Sequence, residues 1–153
     1  MINNTNSQHS RNKIIRYGLV ILSVVLFVIS LFCPAFFIDR VDRDAYSNSF
    51  YLLIIGWMGL LGGAIIPFLI WLANPLYIFS ILLVTSREKA GVLFALIPVV
   101  LAVVFANLDT IITSESGASS RITELGSGYI LWLLSFIVLF AASIFNLFDK
   151  SPE

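Results

Sequence analysis

The chain reads as an all-α membrane protein: four transmembrane helices, both termini cytoplasmic, with a small external β-hairpin or three-stranded cap. Three observations predict this. Of 153 residues, 59% are hydrophobic and only 12% charged, far more apolar than a globular domain. Residues 51–86 hold no charged side chain, and that run exceeds the roughly 20 residues needed to cross hydrocarbon. Charge is also unequal between the two sides. Arg11, Lys13, Arg16, Arg87, Lys89 and Lys150 flank the apolar segments on one side, against Arg40, Arg43 and Arg121 on the other. The positive-inside rule then puts both termini in the cytoplasm.

Residues 1–12 are rich in Asn and Ser without apolar periodicity, so a disordered cytoplasmic tail is expected there. A single four-helix transmembrane domain then covers 13–150. Its first helix spans 14–37. The apolar run is longer than the core of a signal peptide and lacks a small-x-small cleavage site, so it reads as an uncleaved helix. The second spans 50–73 with an apolar continuation to 85. Asn74-Pro75 is its best breaker, because proline removes a backbone donor and disfavours helix in the residue before it. Beyond it, 76–86 covers only about 16 Å of helix, too little for a second crossing. That short piece is either embedded or interfacial. The third helix spans 90–108 and the fourth 129–148. Segments such as SVVLFVISLF are solidly apolar rather than alternating, which excludes barrel strands.

Two loops, 38–49 and 109–128, lie outside. FFIDRV (36–41), DTIIT (109–113) and SRITEL (120–125) are β-prone, and the turn-like SESGASS (114–120) separates the last two. A hairpin is expected, with FFIDRV as a third strand, since an isolated hairpin is marginal in water. Asp109, Glu115, Arg121 and Glu124 are the candidate external partner contacts, because loops on a rigid scaffold commonly carry recognition. Solvated turn residues are the plainer reading of each.

Gly56, Gly59 and Gly63 would share one face of a continuous helix. Gly91, Ala95, Ala102 and Ala106 make a matching stripe on the third helix. Close backbone approach through small residues drives helix association in lipid, so helices two and three are expected to pair through these faces. A homodimer seam is the alternative. Trp57, Trp71, Trp132, Tyr51, Tyr77 and Tyr129 read as an interfacial aromatic belt. No ionisable side chain sits deep in an apolar segment by this reading, which disfavours proton relays and ion pathways.

No HExxH, GxSxG or phosphate-loop pattern is present. His9 stands alone in the tail, and Cys33 is the single cysteine. No catalytic, cofactor-binding or metal-ligating residue is therefore expected, and the near-zero net charge gives no hint of nucleic acid.

Several local patterns carry a resemblance: LFCPAFF (31–37), GWMGLLGG (56–63), WLANPLY (71–77), DTII (109–112) and GSGYILWLLS (126–135). In this order they resemble small bacterial four-helix inner-membrane proteins, over most of the chain beyond the first dozen residues. Pro67 with Ile65 and Ile66 departs from that pattern and disturbs the helix register. The resemblance implies the fold and an inner-membrane location, and supplies no activity.

The function expected is therefore a non-enzymatic membrane protein that acts by binding. It would be an accessory subunit or an immunity-type protective protein, meeting the bilayer and a protein partner in the membrane or periplasm. The alternative is a lipid- or small-molecule-binding membrane protein, with a pocket between the second and fourth helices below the cap.

Overall fold

The computed structural model describes residues 2–39, 48–112 and 118–148. The elements follow in the order α1 (Ile2–Ser30), β1 (Phe36–Ile38), α2 (Ser49–Ile55), a 3-10 helix (Gly56–Leu60), α3 (Ile65–Trp71), α4 (Ala73–Thr85), α5 (Ala90–Ala106), β2 (Thr110–Ile112), β3 (Ser119–Leu125) and α6 (Ser127–Phe148). α1, α3 with α4, α5 and α6 are four antiparallel legs. α6 packs against α1 and α5, and α5 also packs against α4. One end of the bundle gathers Arg16, Val84, Glu88 and Asn146. The other end carries the sheet.

Three helices are long and apolar enough to cross a membrane: Ser10–Ser30, Ile65–Thr85 and Ser127–Leu147. α5 and the arm Ser49–Leu60 are shorter apolar helices. The outside is clad in apolar side chains, with Ile14 70%, Ile21 63% and Leu93 62% exposed. Water opposes so large an apolar surface, and this exterior is compatible with an integral membrane protein.

The second apolar segment departs from the expected single helix over 50–73. Asn48 caps α2, its side chain accepting from the Tyr51 N–H at 3.0 Å. The helix tightens into the 3-10 turn at Gly56 and ends by Leu61. Gly63 then takes φ +74°, a left-handed conformation that a Cβ disfavours, and the chain folds back into α3. Three glycines within 59–63 weaken helix propagation. Pro67, in the first turn of α3, would break a continuous helix but costs nothing where the N–H is unpaired anyway. The crossing-length unit is therefore 65–85, and the earlier arm stands beside it as the first limb of a hairpin.

The break expected at Asn74-Pro75 falls at Leu72, and Asn74 and Pro75 occupy the first turn of α4. The bonds Leu72 N–Phe68 O and Leu76 N–Leu72 O, both 3.1 Å, bridge the join. α4 is thus the continuation of α3, not a separate piece at the surface. It ends in a Schellman motif: Glu88 N–H reaches Leu83 O at 3.0 Å and Arg87 N–H reaches Val84 O at 3.3 Å. Arg87 takes the left-handed position there, φ 62°.

At the other extreme, α1 starts at Ile2, where a disordered 1–12 was expected. Once a helix is nucleated by its apolar part, each further residue adds a bond, whatever its polarity.

The cap is a three-stranded antiparallel sheet in the order β1-β3-β2. Phe36 pairs with Leu125 and Ile38 with Ile122, with an irregularity between Phe37 and Ile38. On the other side Thr110 pairs with Arg121 and Ile112 with Ser119. β3 starts inside the segment read as the turn tip, and Ser120 is buried. Phe36 and Ile38 point into a second core with Ile70, Phe105 and Tyr129, which joins the cap to the bundle.

Candidate functional site

A cavity of about 160 Å³ lies beneath the cap. Asn74 and Trp132 form its floor, and Phe36 and Ile111 roof it from the sheet. Leu52, Leu53 and Gly56 close one side from α2 and its continuation, facing Ser30 and Leu31 at the end of α1. Phe105 and Tyr129 complete the wall, their rings 5.6 Å apart. Among the described residues the lining holds no charged side chain.

Asn74 organises the floor. In an unbroken helix the Trp71 carbonyl would accept from the N–H of residue 75, and Pro75 has none. The Asn74 amide donates to that carbonyl instead, at 3.0 Å. Its Oδ1 accepts from the Trp132 indole N–H at 2.8 Å, which ties the α3–α4 join to α6. Asn74 and Trp132 are 58 residues apart, and no local pattern links them.

Trp71 turns its indole to the hairpin partner and donates from Nε1 to the Leu53 carbonyl at 2.8 Å. It lies flat against Gly56, where a Cβ would overlap Trp71 Cδ1 and sit 2.9 Å from Cγ. Gly56 is therefore the contact surface for a tryptophan on the next limb. Gly59 is close to the Ala64 carbonyl and Phe68 of the same hairpin, and Gly63 makes the turn.

The pairing expected between these glycines and the third-helix stripe does not form. Glycines clustered this densely yield a 3-10 helix and a turn, so they share no continuous helical face. The α5 residues do pack, but on other neighbours. A Cβ at Gly91 would meet Val84 N at 3.2 Å and Leu83 C at 3.3 Å in α4. Ala95 and Ala102 are buried in the main core, while Ala106 is exposed.

The remaining polar groups of the wall are bonded within the protein. Ser30 Oγ donates to Phe27 O and Ser49 Oγ to Cys33 O, both at 2.6 Å. Tyr129 donates to Ala102 O at 2.8 Å. One turn below the floor, Tyr77 and Ser23 share a 2.7 Å bond, and Ser23 donates to Ser135 O at 2.7 Å. Phe27 stacks on Tyr77 with centroids 4.9 Å apart, and Phe136 packs on both Tyr77 and Trp132. Tyr77, Tyr129 and Trp132 are thus core residues, not members of a surface belt.

Of the candidate cap contacts, Asp109, Arg121 and Glu124 are exposed, and Glu115 lies outside the described residues. Asp109 O accepts from Ile122 N at 2.9 Å, and the Asp39 carboxylate accepts from Arg121 N at 2.9 Å. These are strand-end bonds that shape the sheet. Among the described residues no group of three or more His, Cys, Asp or Glu is placed to hold a metal.

The opposite end of the bundle holds what sequence reading missed. Arg16, counted there among surface cations, is 1% exposed and donates to Asn146 Oδ1 at 3.0 Å. Asn146 in turn donates to the carbonyls of Val84 at 3.2 Å and Glu88 at 3.4 Å. Arg16 sits at the edge of the first apolar run, and its partner is 130 residues away. No protein-family model, curated protein or solved structure matches the chain.

Proposed function

We propose that this chain is a non-enzymatic integral membrane protein that binds a small apolar molecule in the pocket beneath its cap. The cavity of about 160 Å³, apolar-walled and without a charged side chain among the described residues, carries the reading. Such pockets at the junction of several elements are the usual form of small-molecule sites. Within a bilayer the ligand gains little by leaving other hydrocarbon, so shape and dispersion contacts with the aromatic wall set its affinity.

We further read the four legs as four crossings of a bacterial inner membrane. α5, with 17 residues, spans about 25 Å and is accommodated by a slight thinning of the bilayer. Arg11, Lys13 and Lys89 belong to the end that holds Asn146, and that end is assigned to the cytoplasm. Native mass spectrometry of the full chain, released from a mild non-lipid detergent, tests the binding function. One retained lipid or small apolar molecule is expected, and a bare chain under every gentle condition would sink it.

A second reading, recognition of a protein partner by the cap, draws on one observation. β2 is an edge strand, and an unpaired strand edge can accept a strand from another chain. A stable larger complex after gentle solubilisation, lost on replacing Ile111 with proline, would favour it.

A further inference from the structure

We infer that the ligand is the end of a lipid acyl chain, which enters sideways from the membrane between the end of α1 and α2. This rests on the apolar-pocket reading above and specifies its occupant. The wall has chemistry for hydrocarbon and for little else. Ser30, Ser49, Trp71, Tyr129 and Trp132 each have a single side-chain donor, and each donates it to another atom of the protein. A polar ligand would lose its own hydrogen bonds on entering and regain few, which is costly in a dry site. Water is disfavoured for the same reason, since a buried water needs several polar partners.

Size and rim narrow the class further. An apolar cavity of about 150 Å³ holds a six-carbon ring, so the 160 Å³ here takes a short length of chain and not a whole lipid. Beside the lining residues Ser30 and Leu31 at the end of α1 stand Ile29 and Phe32, and around Leu52 and Leu53 on α2 stand Phe50 and Ile54, all exposed. An apolar rim of this kind lets a chain pass from the bilayer without crossing a polar belt. A charged headgroup finds no partner among the described residues of the wall and stays outside. Gly56 keeps the space open, because it lets the Trp71 indole lie back against the hairpin rather than across the cavity.

The pocket supplies its own reporters. The chain has 3 tryptophans; Trp71 and Trp132 line the cavity, whereas Trp57 is exposed. The full-length Trp57→Phe protein is reconstituted in phosphatidylcholine vesicles whose acyl chains carry bromine near their ends. Strong quenching of Trp71 and Trp132 is expected. The part due to the pocket should be lost when Leu52→Phe, on α2, or Ile111→Phe, on β2, fills it. The two substitutions lie on separate elements, so one folded variant suffices. Equal quenching in open and filled proteins means contact with bulk lipid only and overturns the inference. Quenching by an added brominated fatty acid, but not by brominated phospholipid, would move the source to free acid and overturn entry from the membrane lipid. Benzene separates the two levels of the argument. If it raises the melting temperature of the open protein in detergent, but not of a filled one, while no brominated chain enters, the pocket stands and the acyl chain falls. If neither enters, both fall.

Discussion

Replacing Asn74 with alanine removes two bonds that no neighbouring group can remake. Pro75 has no N–H, so the Trp71 carbonyl loses its side-chain donor in a partly buried position. Leaving a buried acceptor unsatisfied costs about 1–3 kcal/mol. The Trp132 indole N–H loses its acceptor across 2.8 Å, and measured interhelical bonds within membranes are worth about 0.6–1.7 kcal/mol. Together Asn74→Ala should destabilise the bundle by about 2–5 kcal/mol. Reversible unfolding by titration of sodium dodecyl sulfate into mild micelles, followed by helical circular dichroism, measures it. A double-mutant cycle with Trp132→Phe isolates the bond between α4 and α6, with a coupling of about 0.6–1.7 kcal/mol expected. A loss below about 0.5 kcal/mol for Asn74→Ala, or strict additivity in the cycle, would refute the role given to this residue.

Gly56→Leu should destabilise by about 2 kcal/mol or more through its overlap with Trp71, whereas Gly18→Leu, with nothing within 4 Å of its Cβ position, should be neutral; thermal melting in detergent compares them. Asn146→Leu should cost more than Arg16→Met, roughly 2–4 against 1–2 kcal/mol. The first takes a partner from a buried guanidinium, while the second leaves Asn146 bonded to Val84 and Glu88. The reverse order in the same unfolding assay would contradict the buried node. Arg87→Gly should raise stability by about 0.5–1 kcal/mol, since it relieves a left-handed residue at the Schellman position; unchanged melting would mean the strain is absorbed elsewhere. Reporter fusions should place Ser86 and Glu153 in the cytoplasm and Ala118 outside, and an external signal at Ser86 would overturn the assigned orientation.

Much of the fold is legible in the sequence because lipid imposes blunt rules. A helix able to cross hydrocarbon must be apolar over a fixed length, so the segments of α1 and α6 stand out from composition alone, and α5 stands out as a shorter apolar run. The strands of the cap were equally visible, since β-branched DTIIT and SRITEL flank a turn-rich segment, and local propensity agrees with the final sheet. The second apolar segment departs from its sequence expectation for a physical reason. Apolar length marks where a chain prefers to be out of water, but not where it turns. Gly63 and Pro67 are the local signals of the hairpin, and they compete with the shared helical face that Gly56, Gly59 and Gly63 would form.

The sequence by itself determined composition, the apolar segments, their charge bias and the β-prone loops, all properties of neighbouring residues. Only the tertiary structure decided that Asn74 meets Trp132, that Arg16 is buried against Asn146, and that Gly56 carries Trp71. It alone also closed nine elements around a cavity. These contacts join residues far apart in the chain, and each partner by itself satisfies an ordinary local rule: a helix-end asparagine, a flanking arginine, a small residue in a helix. A uniformly apolar sequence has many compatible packings of nearly equal hydrophobic benefit. The few polar bonds and close glycine contacts select among them, and their partners become visible only once the helices are in place.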